Sequence, residues 1–290
     1  SVDIVDNFSR GKNDSHLQKL ISLDKVRLIE LDMSTLDEKN INSFNNNYSH
    51  IIDLAAILGV QNVLKRPFDV LTKNVLAVQN AIKIGKIQKE LKRFVFASTS
   101  EIYDNSLRIN SGPLPTPEDT PLTIVDPTEK RTSYMLSKIY GESLCSNSGL
   151  PYVVFRPYNF FGPREGMSHV IPEVMSRIYS APRNSEVVLY SPDHTRVFCY
   201  IDDAVSYIYQ LLTNDSCINN SFNIGSDDEE ITMRELGKKI VTIMDRGDVS
   251  FLEEPPTTGS PQRRKPDMSK TQEFTGITQT IGLNEGLKRT

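Results

Sequence analysis

The nine residues RFVFASTSE, at positions 93–101, decide the fold class of this 290-residue chain. The first five form an apolar run with the character of a strand, and the rest form a cluster of hydroxyl groups that ends in Glu101. Strands buried on both faces of a parallel sheet are nearly continuous apolar runs, and ligands bind beyond their carboxyl ends. The stretch therefore predicts a buried parallel strand that delivers polar side chains to a site.

Strand-like runs alternate with helix-like stretches on both sides of this motif. The runs are VDIV (2–5), VRLIEL (26–31), HIIDLAA (50–56) and YVVFR (152–156), and helical spacing is clearest over 70–86 and 133–146. This rhythm predicts crossover units and a parallel sheet. We therefore predict an α/β fold, with a Rossmann-type parallel sheet flanked by helices over 1–156. A smaller lobe over 157–290, partly interwoven with the first domain, should form one side of a cleft, and 253–267 should be loop.

The glycine-rich turn that opens most Rossmann domains has no counterpart in this sequence. That turn lets the backbone approach a pyrophosphate at a helix N-terminus. The first glycine here is Gly11, and it follows a strand-like run that ends in Asp6. We therefore interpret residues 2–6 as the second strand of the unit. We expect the native protein to carry the first βα unit, roughly 25–35 further residues.

The bulk composition argues against several classes of protein. A formal charge of −4 gives no strong field to attract nucleic acid or an anionic membrane. The three cysteines, Cys145, Cys199 and Cys217, are too few and too widely spaced for a disulfide framework or a zinc site, and they fit a reducing compartment. No apolar run approaches the roughly 20 residues that span a bilayer. We therefore expect a cytoplasmic protein that uses no metal and binds neither nucleic acid nor a membrane.

The candidate catalytic pair is Tyr134 and Lys138, within SYMLSK at 133–138. Residues four apart share one face of a helix. A phenol is a poor base at neutral pH, but a nearby ammonium and a positively charged nicotinamide lower its pKa. Thr99 would hold a substrate hydroxyl while Tyr134 removes its proton. A Tyr-x-x-x-Lys spacing alone is a weak signal, but one that follows a hydroxyl cluster after a buried strand is far more specific.

Other polar residues have both a functional and an ordinary structural interpretation. Asp6, at the end of a strand, could accept hydrogen bonds from the adenosine ribose of NAD or simply form a turn. Asp32 could meet the adenine, and a helix N-cap role is about equally plausible. Ala55 could let a cofactor pass close to the backbone or allow tight packing of a helix. Asn74 lies within the next predicted helix, where a buried amide needs a partner.

Three segments, FASTSEIY, SYMLSK and FRPYNFFGPR, resemble the extended short-chain dehydrogenase/reductase family, in its sugar-nucleotide epimerase/dehydratase branch. The resemblance covers nearly the whole chain, through VDIVDNFSRG, HIIDLAAILGV, TRVFCYIDD, FNIGS and RRKPDMSK. It implies bound NAD and transient oxidation at C4 of the sugar. It also implies a catalytic set of Thr99, Tyr134 and Lys138. The NAD site that it implies is lined by Asp6, Asp32, Leu54, Ala55, Asn74, Tyr134 and Lys138.

The same resemblance implies a substrate side to the cleft. Asn159 matches a diphosphate-binding asparagine, and Arg196 matches a phosphate-binding arginine, whose planar fork suits phosphate. Arg264 could bind substrate or serve only the structure, and for His169 a structural role is the better interpretation. The family also implies a homodimer formed through the helices at 70–86 and 133–146.

The reaction itself is left between alternatives. Related dehydratases carry an aspartate directly after the threonine, whereas this chain has Ser100, which disfavours 4,6-dehydration. The Thr-Ser-Glu triplet is similar to that of UDP-glucuronate decarboxylases, which would give roles to Ser100, Glu101 and Arg264. HIIDLAAILGV and SYMLSK are more similar to UDP-sugar 4-epimerases, and we favour 4-epimerisation narrowly. A third hypothesis, from another class, is an inactive fragment or a partner protein that binds a sugar nucleotide.

Overall fold

The computed structural model describes residues 1–109, 112–256 and 259–290. Its strands are β1 (Val2–Asp6), β2 (Val26–Glu30), β3 (His50–Asp53), β4 (Arg93–Ala97), β5 (Tyr152–Pro157), β6 (Phe160–Phe161), β7 (Glu186–Tyr190), β8 (Thr195–Arg196), β9 (Cys199–Tyr200), β10 (Asn220–Ile224), β11 (Ile231–Thr232), β12 (Ser250–Glu254) and β13 (Arg263–Arg264). Its α-helices are α1 (Ser15–Ile21), α2 (Glu38–Asn42), α3 (Val60–Lys65), α4 (Pro67–Lys86), α5 (Asp104–Arg108), α6 (Thr132–Ser146), α7 (Val170–Ser180), α8 (Ile201–Thr213), α9 (Met233–Ile243), α10 (Ser269–Thr275) and α11 (Leu283–Arg289).

The central sheet has four parallel strands in the order β10, β5, β4, β3. Phe94 and Phe96 of β4 face a cluster with α4 and α6, and Val95 faces the opposite cluster with α8. This burial on both faces explains why β4 is apolar throughout rather than alternating. The predicted α/β fold, a Rossmann-type parallel sheet flanked by helices, is confirmed.

Two residues fix the helices that carry the site. α4 begins at Pro67, a position where proline costs no helical hydrogen bond, three residues before the predicted start. α6 crosses β4 at Gly141, where an added Cβ would lie 2.4 Å from the ring of Phe96. Only glycine allows this close approach, and the crossing brings the first turns of α6 to the carboxyl end of β4.

The strands β1 and β2 form a separate parallel pair, with Val2 opposite Val26. In the described part of the chain, no strand pairing joins them to β3. A hydrogen bond of 2.8 Å from the Asn80 amide to the carbonyl oxygen of Met33 ties the pair to α4. β3 is therefore an edge strand, and Ile52 is 42% exposed on it.

The second half of the chain builds its own core and also returns to the first. Ile171, Leu189, Leu236 and Ile240 lie in an apolar cluster shared by α7, β7 and α9. β10, by contrast, pairs with β5 and extends the central sheet. The predicted loop over 253–267 is wrong in part, because β12 runs through Glu254 and β13 pairs with β8; residues 257 and 258 lie outside the described residues. Among the described helices, none has the length and apolar character that crossing a membrane requires.

Candidate active site

The hydroxyl cluster that follows β4 is buried at the carboxyl edge of the sheet. The side chains of Ser98, Thr99 and Ser100 are all buried. Thr99 caps a 3₁₀ turn over Ser100–Tyr103, because its Oγ1 accepts a hydrogen bond of 3.2 Å from the Glu101 N–H. The turn orients Thr99 toward α6 and carries Glu101 to the same edge.

Tyr134 and Lys138 lie on α6 and are both buried. Burial and the Glu101 carboxylate raise the pKa of Tyr134, while hydrogen bonding with Thr99 and the charge of Arg10 lower it. The Lys138 ammonium donates a hydrogen bond of 2.6 Å to the carbonyl oxygen of Ala97 and is not among the groups that set this pKa. The structure brings the three expected catalytic residues together, yet the protein alone does not favour the phenolate.

Of the three expected catalytic residues, Lys138 is the one whose pKa lies near neutral pH. Burial lowers its pKa from the ordinary value of 10.5 to about 8, and the carboxylate of Asp53 acts in the opposite direction. The ammonium also lies 4.8 Å from the centroid of the Phe96 ring. Its charge is therefore held by a carbonyl dipole, an aromatic face and a carboxylate rather than by water.

A buried ion pair closes the substrate side of this edge. Arg264 donates to the carboxylate of Asp104 at 2.8 and 2.6 Å from Nη2 and at 3.1 Å from Nε. Burial raises the pKa of Asp104 to about 6; the charge of Arg264 opposes this rise and that of Glu101 adds to it. Arg131 lies 3.9 Å from Glu101. Sequence reasoning missed Asp104, and its one signal was the position three residues after Glu101.

The side chains of two other residues expected to bind phosphate donate hydrogen bonds to backbone carbonyl oxygens. Arg196 donates to the carbonyl oxygens of Thr195, Pro261 and Gln262 at 2.7, 2.8 and 3.1 Å. Burial, with the charge of Arg264, lowers the pKa of Arg196 to about 9. Asn159 has a left-handed φ of 42° and donates from its side chain to the carbonyl oxygen of Val197 at 2.9 Å. The side-chain amide of Asn159 and the two terminal nitrogens of Arg196 are thus bonded within the protein.

The residues expected to line the NAD site differ in how exposed they are to solvent. Asp6 is exposed, although its Oδ1 accepts a 2.7 Å hydrogen bond from the Phe8 N–H. Leu54 is 61% exposed, and Ala55 beside it is exposed too. Exposed residues at the carboxyl ends of β1 and β3 fit the adenosine and nicotinamide portions of a dinucleotide, where this type of sheet binds one. Residues 1–290 hold no glycine-rich turn to cradle its pyrophosphate.

The remaining two expected NAD residues make internal contacts. Asp32 caps the 3₁₀ turn Met33–Thr35 by accepting a 2.8 Å hydrogen bond from the Ser34 N–H, which is the capping alternative. Asn74 clamps the backbone of Ile57, accepting from its N–H at 2.7 Å and donating to its carbonyl oxygen at 3.0 Å. The clamp fixes the loop after β3 against α4.

A loop after β1 reaches across to the second half of the chain. The Arg10 guanidinium lies 3.1 Å from Nε2 of His169, and Arg164 pairs with Asp14 at 2.7 Å. Burial raises the pKa of Glu165 to about 8 against the effect of Arg10. Sequence reasoning missed Arg10 and Glu165, and their position beside Gly11 and Gly166 in loops is only a weak signal. The positive charge of Arg10 lowers the pKa of Tyr134, so this loop lies on the Tyr134 side of the site.

Known proteins are similar to this chain over most of its length. The chain is 28% identical to the UDP-N-acetyl-alpha-D-glucosaminuronate decarboxylase of Bacillus cytotoxicus, over all of the chain and 88% of that protein. It is also 28% identical to UDP-glucuronic acid decarboxylase 1 of Xenopus tropicalis, over all of the chain but only 65% of that protein. The structure of the UDP-glucuronic acid 4-epimerase of Bacillus cereus with UDP-glucuronic acid and NAD superposes with a TM-score of 0.82, at 22% identity, over 99% of this chain and 88% of that one.

The fold, the edge of the sheet that holds the Thr-Tyr-Lys set and these likenesses agree with a family model that matches residues 1–225. That match covers most of the chain. The chain therefore belongs to the NAD dependent epimerase/dehydratase family, whose members are NAD-dependent enzymes that act on sugar nucleotides.

Proposed function

We propose that this chain catalyses the NAD-dependent decarboxylation of a UDP-linked uronic acid. The observation that carries the proposal is the position of Glu101. Its N–H donates to Oγ1 of Thr99 at 3.2 Å and its carboxylate lies 3.9 Å from Arg131. Its charge adds to the effect of burial in raising the pKa of both Tyr134 and Asp104, which agrees with a place near the proposed base and the buried ion pair. A carboxyl group at that point can move a proton at the sugar carbon next to C4.

The relatives support this choice of reaction. The two decarboxylases described above match over the whole chain and are named for N-acetylglucosaminuronate and glucuronate. Both sugars carry a carboxylate at C6. Because the chain spans only 65% of the length of the second relative, the activity of that whole protein is here a proposal.

Each step has a group available to carry it. Thr99 would hold the C4 hydroxyl, and Tyr134 would take its proton. NAD, when bound along Asp6, Leu54, Ala55 and Lys138, supplies the acceptor for the C4 hydride and can return it. With C4 as a ketone, the C6 carboxylate is part of a β-keto acid, so cleavage of the C5–C6 bond releases carbon dioxide and leaves the electron pair in an enolate. Glu101 would deliver the proton to C5.

A second candidate is 4-epimerisation, which the sequence narrowly favours. It begins with the same ketone and returns hydride to the opposite face without losing carbon. The observation in its favour is the similarity of HIIDLAAILGV and SYMLSK to 4-epimerases, together with a fold shared with the UDP-glucuronic acid 4-epimerase of Bacillus cereus. The two reactions differ only after the C4 ketone has formed.

A product assay separates these candidates. The protein is incubated with NAD and, separately, with UDP-glucuronate, UDP-N-acetylglucosaminuronate and UDP-glucose, and the products are followed by NMR. Carbon dioxide and a sugar shortened by one carbon support the decarboxylase. Inversion at C4 with all carbons retained supports the epimerase. Binding of the sugar nucleotides by calorimetry without turnover would contradict both and leave a binding protein.

We also propose that a further strand and helix complete the sheet between β1 and β3. The unpaired edge of β3, with the exposed Ile52 beside it, supports this proposal. The missing unit would supply the glycine-rich turn for the pyrophosphate. An intact-mass measurement of the protein from its source, with Ser1 as its first residue, would contradict it.

We further propose that the chain forms a homodimer through α4 and α6. These two helices pack against each other and leave Phe68, Leu76 and Tyr140 exposed, and exposed apolar side chains on adjacent elements favour association. Sedimentation velocity of the wild type and of Leu76→Glu tests this proposal. A wild type that sediments as a monomer at micromolar concentration would contradict it.

A further inference from the structure

Asp53 is a buried carboxylate with one oxygen left without a partner. It ends β3 and is 6% exposed. Its Oδ1 accepts a 3.1 Å hydrogen bond from the Ala55 N–H, whereas its Oδ2 is buried with no hydrogen-bond partner among the described residues. An unpaired buried carboxylate oxygen is costly unless a charge nearby compensates it.

The compensating charge is the ammonium of Lys138. Asp53 lies directly opposite Phe96 in the register of β3 and β4, and residues opposite each other in a sheet project to the same face. The Lys138 ammonium lies over the Phe96 ring on that face, 4.8 Å from its centroid. Burial raises the pKa of Asp53 and lowers that of Lys138, and the charge of each group opposes the shift of the other. No nitrogen–oxygen contact within 4.0 Å joins the two side chains in the described structure.

The other two acidic groups near Lys138 lie on α6, and one is bound by an arginine while the other is neutral. Glu142 is bound by the guanidinium of Arg156 at 3.0 and 2.7 Å. Burial raises the pKa of the Cys145 thiol, which keeps it neutral. Among the described residues, Asp53 is therefore the carboxylate near Lys138 that is not bound by another cation.

Resting on the proposed role of Lys138, we propose that Asp53 is a positioning residue for it: the Asp53 carboxylate, anchored by the Ala55 N–H, keeps the Lys138 side chain charged and directed to the carboxyl end of β4. Asp53 touches neither substrate nor cofactor in this role and acts through Lys138. Without the carboxylate, a larger fraction of Lys138 is neutral at pH 7–8, and a neutral amine does not stabilise a phenolate.

An NMR titration of Lys138 in the full chain tests the proposal without any reaction. The protein carries ¹³C-labelled lysine, and Lys138→Arg assigns the Lys138 resonance. Asp53→Asn keeps the shape of the side chain and removes its charge, and we expect it to lower the Lys138 midpoint by about one unit. Asp203→Asn is the matched control, because Asp203 is an equally buried carboxylate bonded to Thr280 and Ile281. It should leave the midpoint unchanged, and an unchanged midpoint in folded Asp53→Asn overturns the proposal.

A reciprocal titration covers the case in which Asp53→Asn does not fold. In Lys138→Met, with ¹³C-labelled aspartate, the Asp53 midpoint should rise because its cation is gone, and an unmoved midpoint overturns the proposal. In an active enzyme, Asp53→Asn should also move the alkaline limb of the kcat profile to lower pH. A shifted Lys138 midpoint in a protein that turns over no uronic acid would support the role of Asp53 and contradict the proposed reaction alone.

Discussion

Each end of the site holds a buried carboxylate and a buried cation, and the two pairs offset the cost of burying these charges in different ways. Asp104 and Arg264 are in direct contact through three hydrogen bonds of 2.6 to 3.1 Å. Asp53 and Lys138 share a face of the sheet without direct contact, and the ammonium bonds to a carbonyl oxygen instead. Against the effect of burial, the charges of Asp104 and Glu101 raise the pKa of Arg264, so this guanidinium keeps its proton, whereas a buried lysine or aspartate can become neutral. The cation of the contact pair (Asp104 and Arg264) is therefore fixed, whereas the cation of the separated pair (Asp53 and Lys138) can lose its proton near pH 8.

Breaking the contact pair should give the largest effect. Asp104→Ala leaves Arg264 charged and buried without its partner, and we expect the free energy of unfolding to fall by about 3–5 kcal/mol. Urea unfolding followed by circular dichroism measures it. Glu285→Ala, which removes an exposed partner of Arg289, is the control and should cost no more than about 0.5 kcal/mol. Equal losses in the two variants would mean that burial does not distinguish these pairs.

Breaking the separated pair should affect catalysis more than stability. In Lys138→Met, Asp53 can take up a proton, so we expect the free energy of unfolding to change by less than about 1.5 kcal/mol. We expect kcat to fall roughly 10²-fold or more, because Tyr134 loses the cation that its deprotonation requires. Product formation under saturating substrate measures kcat. A stability loss as large as that of Asp104→Ala would show that Lys138 serves the structure.

The sequence predicts most of the strands and helices on which this comparison depends, because their patterns lie within single segments of the chain. The strand β4 and the helices α4 and α6 are visible as an apolar run and as helical spacing, because burial repeats along a single segment. Asp104 could not be recognised from the sequence, since its partner is 160 residues away and only the fold brings them together. The partners of Arg196 could not be predicted either, because they are mainly backbone carbonyls and therefore leave no side-chain pattern.

Two predicted site residues show how one side chain fits two interpretations. Asp32 caps a 3₁₀ turn and Asn74 clamps the backbone of Ile57, and either contact would explain the residue without any cofactor. The sequence places Asp53 within a predicted strand and gives no sign of a functional role for it. A buried carboxylate with an unpaired oxygen becomes visible only when hydrogen-bond partners are known.

The pH dependence sharpens the contrast between activity and stability. The pKa of Lys138 is about 8, below its ordinary value of 10.5. The ammonium is thus present below pH 8, and we expect kcat to fall about tenfold per pH unit well above it. The unfolded chain binds more protons between pH 8 and 10.5, so the contribution of this group to stability rises over that window. A decline in kcat with no fall in melting temperature would support titration of Lys138, and parallel declines would indicate unfolding.

The smallest expected effect separates charge from geometry within the contact pair. Arg264→Lys keeps a cation beside Asp104 and removes the planar fork, so at most part of the three hydrogen bonds can be rebuilt. We expect a loss of about 1–2 kcal/mol in urea unfolding, well below that of Asp104→Ala. If the loss instead matches that of Asp104→Ala, the fork carries the whole interaction.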